Sequence, residues 1–123
     1  PDPMAEAKRY YDQLGYFPIM HIMAFRNEIV EQNPELPRAV IEMWDSAKRI
    51  AADYYEDPGY SEIAFARNAM EHQNDMFGTD IWPSGFAVNR DNIANFIDYS
   101  ADQGLIGASY EPERLFHASV LDT

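Results

Sequence analysis

Five side chains in this 123-residue sequence have types and neighbours that could do chemistry: His21, Arg26, Trp82, Asn89 and Arg90. His21 lies within an almost unbroken apolar run, Tyr16 to Phe25 (YFPIMHIMAF). Burial there disfavours the charged imidazole and demands hydrogen-bond partners for the neutral one. Two readings follow. The ring projects into a ligand cleft, where it can move a proton, or it is a core histidine held by backbone or a carboxylate. Arg26 closes the run. Arg90, next to Asn89, falls at a helix start, where free N–H groups and the helix dipole favour an anion. Each arginine either meets a ligand carboxylate or pairs with a nearby acid, which for Arg90 is Asp91 or Asp98. Trp82, followed by Pro83 in a loop bounded by Gly78 and Gly85, either plugs a cleft or subunit contact or forms a lid over a helical hairpin.

Other chemistries find less support. His72 and His117 read as surface residues, and no histidine pair has the H-E-x-x-H spacing of a zinc site. There is no cysteine, so thiol chemistry and disulfides are excluded. No nucleophile elbow, phosphate loop or dinucleotide fingerprint occurs; Gly104 and Gly107 follow no strand. No metal and no cofactor are expected.

These residues need elements to position them. Asp2 and Pro3 open a first helix, with Met4, Ala7, Tyr11 and Leu14 at helical spacing and Gly15 as its stop. The abrupt helical start reads as though cut from something longer. Residues 16–25 have the length and composition of a strand buried on both faces, and no second strand is evident to pair with it. The expectation is that this strand pairs with another chain or leaves an edge open. Asn27 caps a short helix, Glu28 to Gln32. A long helix spans Leu36 to Tyr55, with Val40, Met43, Trp44, Ala47, Ile50, Ala51 and Tyr54 as its apolar stripe. After a turn at Asp57-Pro58-Gly59, Ser61 caps a helix to Phe77 with Ile63, Ala66, Met70 and Phe77 inward. Phe86 to Val88 reads as briefly extended. Asn89 caps a helix carrying Ile93, Phe96, Ile97 and Ala101 inward and stopped by Gly104. A short helix runs from Pro112 to about His117, and the last residues read as a frayed tail.

Charge narrows the partners. Twenty-one acids against nine bases give a net −12, which argues against nucleic acid and anionic membrane surfaces. No apolar run approaches the roughly 20 residues that span a bilayer.

The motif R-x-E-I-x-E-x-N-P-E-L (Arg26 to Leu36) after an apolar strand and before a long helix resembles many solute-binding proteins of transport systems. A narrower resemblance comes from Gly15-Tyr16-Phe17-Pro18-Ile19-Met20-His21, Trp82-Pro83-Ser84-Gly85 with Asn89-Arg90, Gln103-Gly104-Leu105 and Glu113-Arg114-Leu115-Phe116. Taken in order over nearly the whole chain, these resemble the C-terminal third of the 4,5-dihydroxyphthalate decarboxylases. The family tends to read W-P-Y-G where this chain has Ser84, so a substrate touching that position would differ.

The resemblance implies a mainly α segment, helices plus one buried strand, of an α/β two-lobed periplasmic-binding-protein-like type II fold. Residues 1–15 would end the second lobe, 16–25 would cross over, and 26–123 would pack on the first lobe. It implies a carboxy-lyase acting on 4,5-dihydroxyphthalate or a related aromatic diacid. His21 would be the catalytic group, and Arg26, Trp82, Asn89 and Arg90 would bind substrate. The same fold also serves binding proteins that capture a small organic anion without chemistry, so fold does not choose between the two. The decarboxylase would be cytoplasmic, the binding protein periplasmic. A homo-oligomer, or a partner chain completing the sheet, is the expected assembly.

Overall fold

The computed structural model describes residues 2–57, 59, 61–78 and 80–123. Five α-helices run through them: α1 Pro3–Leu14, α2 Asn27–Gln32, α3 Leu36–Glu56, α4 Ala66–Phe77 and α5 Arg90–Asp102. Short 3-10 segments lie at Ala87–Asn89, Pro112–Leu115 and Ala118–Val120.

The ends of α1 follow from local chemistry. The Asp2 carboxylate accepts from the N–H groups of Met4 (3.0 Å) and Ala5 (3.1 Å), and Pro3 has no N–H to leave unpaired. Gly15 takes the left-handed conformation, φ 77°, and its N–H donates to the Tyr11 carbonyl at 2.7 Å. Elsewhere the boundaries shift. Arg26, not Asn27, occupies the cap position of α2, and no side chain caps it. Ser61 does not start α4; its hydroxyl accepts from the Ile63 N–H at 3.1 Å in a local turn, and the helix begins at Ala66. Phe86 is not extended but has helical dihedrals, leading into the 3-10 turn. The middle residue of the expected turn, Pro58, lies outside the described residues.

The buried strand is absent, and with it the α/β architecture. Among the described residues there is helix and no strand. From Pro18 to Arg26 the chain has no regular structure; Met20 is 71% exposed, Ile22 68% and Met23 58%, and His21 is exposed between them. A strand satisfies its N–H and C=O groups only through a neighbour. No strand lies beside it among the described residues, so the apolar run stays irregular and the two-lobed fold class does not describe this structure.

The chain divides into two compact units that interleave in sequence, residues 1–17 with 43–82 and residues 18–42 with 83–123. In the first, α1 packs on α4. Tyr11, Phe17 and Phe77 form a triangle with every pair of ring centroids 5.2 Å apart, and the Tyr11 hydroxyl donates to the Phe77 carbonyl at 3.0 Å. Each ring thus meets its neighbours at tilted or edge-on angles that aromatic quadrupoles favour. The exposed face of this unit was not expected. Met43, Trp44, Ile50 and Tyr54, the predicted inward stripe of α3, are all more than half exposed, as is Ile63.

The second unit has its core at Phe86, Ile93 and Ile97, flanked by Ile19, Ile106, Tyr110, Phe116 and Leu121. The Phe86 and Phe116 rings meet at a tilt of 52°, their centroids 4.9 Å apart. Phe96, expected inward, is 66% exposed. The tail is not frayed. The Thr123 hydroxyl accepts from the Phe86 N–H at 3.0 Å and its backbone oxygen accepts from the Ala87 N–H at 2.5 Å. Arg38 binds the same tail, donating to the Ser119 carbonyl at 2.8 Å and to the Asp122 carboxylate.

Ile97 is the most buried core residue, 2% exposed. Truncation leaves a cavity that so small a core has little means to close, so Ile97→Ala is expected to cost about 2–4 kcal/mol in urea unfolding followed by circular dichroism. A loss below about 1 kcal/mol would mean that this cluster does not hold the unit together.

Candidate functional site

The expected site residues fall in both units, and each unit is built differently around them. In the first, Trp82 is held at both of its backbone polar groups. Its N–H donates to the Asp80 carboxylate at 3.1 Å, and its carbonyl accepts from the Lys48 ammonium at 2.6 Å. Lys48 also binds both Asp80 oxygens, at 2.9 and 3.0 Å. α3 therefore supplies the cation that fixes the loop. The Trp82 ring lies 5.7 Å from Phe17. Phe17, Phe77 and Trp82, with Met4, Met76 and Ile81, line an open apolar cavity of about 360 Å³, with His72 and Gln73 completing its lining. Its walls suit a flat ring, and its size falls within the range of small-molecule sites. Neither Lys48 nor Asp80 stood out in the sequence. A lysine at the flank of a helix's apolar stripe reads as solvated surface, and its carbonyl partner 34 residues away leaves no local signal.

In the second unit, Asn89 does not cap α5 with its side chain. Its amide instead donates to the carbonyls of Pro83 (2.7 Å) and Gly85 (2.9 Å), folding the Pro83-Ser84-Gly85 turn onto the helix start. Gly85 is required there. Its φ is 109°, and a Cβ would come within 2.6 Å of the Thr123 backbone. The Arg90 guanidinium is committed to carboxylates, with Nε to Glu113 at 2.6 Å and Nη2 to Glu111 at 3.0 Å; Asp91 stands off at 4.0 Å. Asp98, the other expected partner, instead accepts from the Ser109 hydroxyl at 2.5 Å. The hydrogen bond from Arg90 holds the Glu113 carboxyl below its ordinary pKa, and the same contact raises that of Arg90. A ligand carboxylate at Arg90 would have to displace Glu113.

His21 and Arg26 lie five residues apart on exposed chain in this unit. Neither side chain makes a hydrogen bond or ion pair with a described residue, whereas those of Lys8, Arg9, Arg38, Lys48, Arg67 and Arg90 each pair with a carboxylate. Arg26 marks the start of α2, where its carbonyl accepts from the Ile29 N–H at 3.0 Å. His72 is exposed beside the aromatic cavity, and His117 is occupied locally, its Nδ1 2.8 Å from the Ser119 hydroxyl. Among the described residues no group of three or more His, Asp or Glu side chains is placed to hold a metal ion. Among the same described residues no helix is long and apolar enough to cross a membrane.

No family model matches the chain. It is 28% identical over 124 residues to 4,5-dihydroxyphthalate decarboxylase from Comamonas testosteroni. That alignment takes in 99% of this chain and 38% of the decarboxylase. The chain is therefore a distant relative that spans well under half of that protein's length.

Two measurements test the local geometry. Asn89→Ala leaves two carbonyls without their donor and is expected to cost about 1–3 kcal/mol in urea unfolding; an unchanged midpoint would mean that the turn is held otherwise. For Glu113, the folded pKa lies below the unfolded one, so the pair contributes stability at neutral pH that is lost as pH falls through the folded value. Glu113→Gln should lower Tm at pH 7, and the gap from the parent should close below about pH 4, where glutamates protonate. A gap that stayed constant to pH 2 would remove the ion pair as its cause.

Proposed function

We propose that this chain belongs to an aromatic carboxy-lyase that decarboxylates 4,5-dihydroxyphthalate or a related ring diacid. The observation that carries this reading is the alignment of essentially the whole chain with a protein of that name, at 28% identity. The motifs quoted above, from Gly15 to Phe116, supply the residues to which roles can be given.

The chemistry sets the requirements. When the ring C–C bond to the carboxylate breaks, CO₂ leaves and the bonding electrons stay on the ring carbon. A proton must reach that carbon, and the negative charge must be stabilised while it develops. The substrate carries two carboxylates, and the chain around it is acidic, so a cation not already neutralised is needed. Arg26 meets that need, being exposed and free of ion pairs with described residues. His21, five residues before it, is assigned proton delivery to the ring carbon or a hydrogen bond to the ring hydroxyls. Arg90 takes a supporting role, since Glu113 and Glu111 already satisfy it. Asn89 acts through the Pro83-Ser84-Gly85 turn that it shapes. Ser84 in that turn, where the family tends to have tyrosine, marks the position at which substrate preference would depart from the parent diacid.

The test uses the complete protein that carries this segment, incubated with 4,5-dihydroxyphthalate while CO₂ release is followed. Turnover is expected, with His21→Ala lowering kcat about 10²–10⁴-fold and Arg26→Ala acting mainly through KM. Tight binding of the diacid with no CO₂ would overturn the lyase reading in favour of a binding protein. Normal turnover by His21→Ala would remove His21 from the mechanism.

A further inference from the structure

The cavity of the first unit brings together three side chains that share one chemistry. Met4, His72 and Met76 all line it. His72 and Met76 lie at i and i+4 on α4, so they share one face of the helix with Cβ atoms about 5–6 Å apart. That spacing lets two side chains of one helix reach the same ion, as the paired histidines of H-E-x-x-H do. Met4 comes from α1, which packs on α4. Its thioether ends a side chain free to rotate about every bond, so it can close on an ion held by the other two. Methionines also serve simply to fill irregular apolar gaps. His72 separates the two readings, since its exposed imidazole makes no hydrogen bond or ion pair with a described residue.

The lining decides which ion. Thioethers are soft donors suited to copper(I), whereas copper(II) takes nitrogen and oxygen ligands in a square arrangement. Magnesium and calcium require oxygen ligands, and zinc requires thiolates, several imidazoles or carboxylates. No carboxylate lines the cavity, a single imidazole does, and the chain has no cysteine. No lysine or arginine lines it either, so a ring diacid would find no countercharge there. Lys48, which holds the Trp82 carbonyl, is itself neutralised by Asp80. Phe17, Phe77 and Trp82 form the remaining wall, and aromatic faces attract a monovalent cation, tryptophan best of the three types. We propose that Met4, His72 and Met76 form a three-ligand site for copper(I), with the Trp82 ring beside the ion. Met20, His21 and Met23 carry the same donor atoms, but on chain without regular structure, where no helix presets their spacing.

Copper(I) is supplied under nitrogen to the chain carrying Trp44→Phe, which leaves Trp82 as the one tryptophan, with bathocuproine disulfonate as competing chelator. Uptake of one copper(I) per chain is expected, with Trp82 emission lost as the site fills. Met4→Leu, Met76→Leu and His72→Gln should each weaken binding at least about tenfold. Met20→Leu with Met23→Leu should leave the affinity unchanged, and excess zinc(II) should displace no copper. Silver(I), a soft ion of the same charge that undergoes no redox change here, gives a readout without any variant. In carbon NMR of the unsubstituted chain it should shift the methyl signals of Met4 and Met76 and leave those of Met20 and Met23 in place. The proposal is overturned if the chain takes up no copper(I), if the Met20 and Met23 variant loses it, if zinc(II) displaces it, or if silver(I) leaves the Met4 and Met76 signals unmoved.

Discussion

One side-chain amide governs much of the second unit. Asn89 donates to the carbonyls on either side of Ser84, and that closes a turn whose backbone would otherwise carry unsatisfied acceptors. The closed turn delivers Phe86 to the core beside Ile93 and Ile97. It also sets Gly85 against Thr123 so closely that no side chain fits between. Thr123 then accepts the N–H groups of Phe86 and Ala87, and Arg38 secures the residues just before it. The chain's last segment, the start of α3 and the start of α5 are thereby linked through polar contacts rather than through a large apolar core. That suits a unit whose fully enclosed cluster has three members.

The helices could be read from local chemistry because their signals are local. Asp2, Pro3 and Gly15 bound α1 by hydrogen bonds that reach no further than four residues. What could not be read was the environment of an apolar run. Residues 16–25 have the composition of a two-sided strand, but a strand exists only through its neighbours, and the run itself says nothing of whether they are present. The α3 stripe shows the same limit. Helical spacing identified Met43, Trp44, Ile50 and Tyr54 as one face, correctly, while their burial depends on what packs against that face, which spacing does not carry. At the site, sequence singled out Trp82, Asn89 and Arg90, but Lys48 and Glu113, which hold Trp82 and Arg90, act over 34 and 23 residues and have no local signature.

Acid in excess shapes the electrostatics from within. Six of the nine basic side chains are paired with carboxylates, Arg114 lies over the Tyr110 ring at 5.5 Å, and Arg49 donates to the Ser46 hydroxyl. Exposed pairs of this kind contribute little stability individually. Their collective effect is on availability. They leave Arg26, Arg49 and Arg114 without a carboxylate partner among the described residues, and of these the Arg26 guanidinium makes no hydrogen bond or ring contact there, a more specific pointer than its position after an apolar run.

The interleaving of the two units has a consequence for how the chain acquires its structure during synthesis. The first unit takes residues from both ends of a span that closes at Trp82, so every part of it has been made before the core residue Phe86 leaves the ribosome. The second unit must keep residues 18–42 waiting until the final segment arrives, and the Arg38–Asp122 pair closes across 84 positions. Vectorial folding favours the unit completed first. Long-range closure in the other carries the larger loop entropy and the slower rate. During that interval Ile19, the residue of the apolar run that joins the second unit's core, has no core to lie against, so the stretch around it stays uncovered longest in the nascent chain.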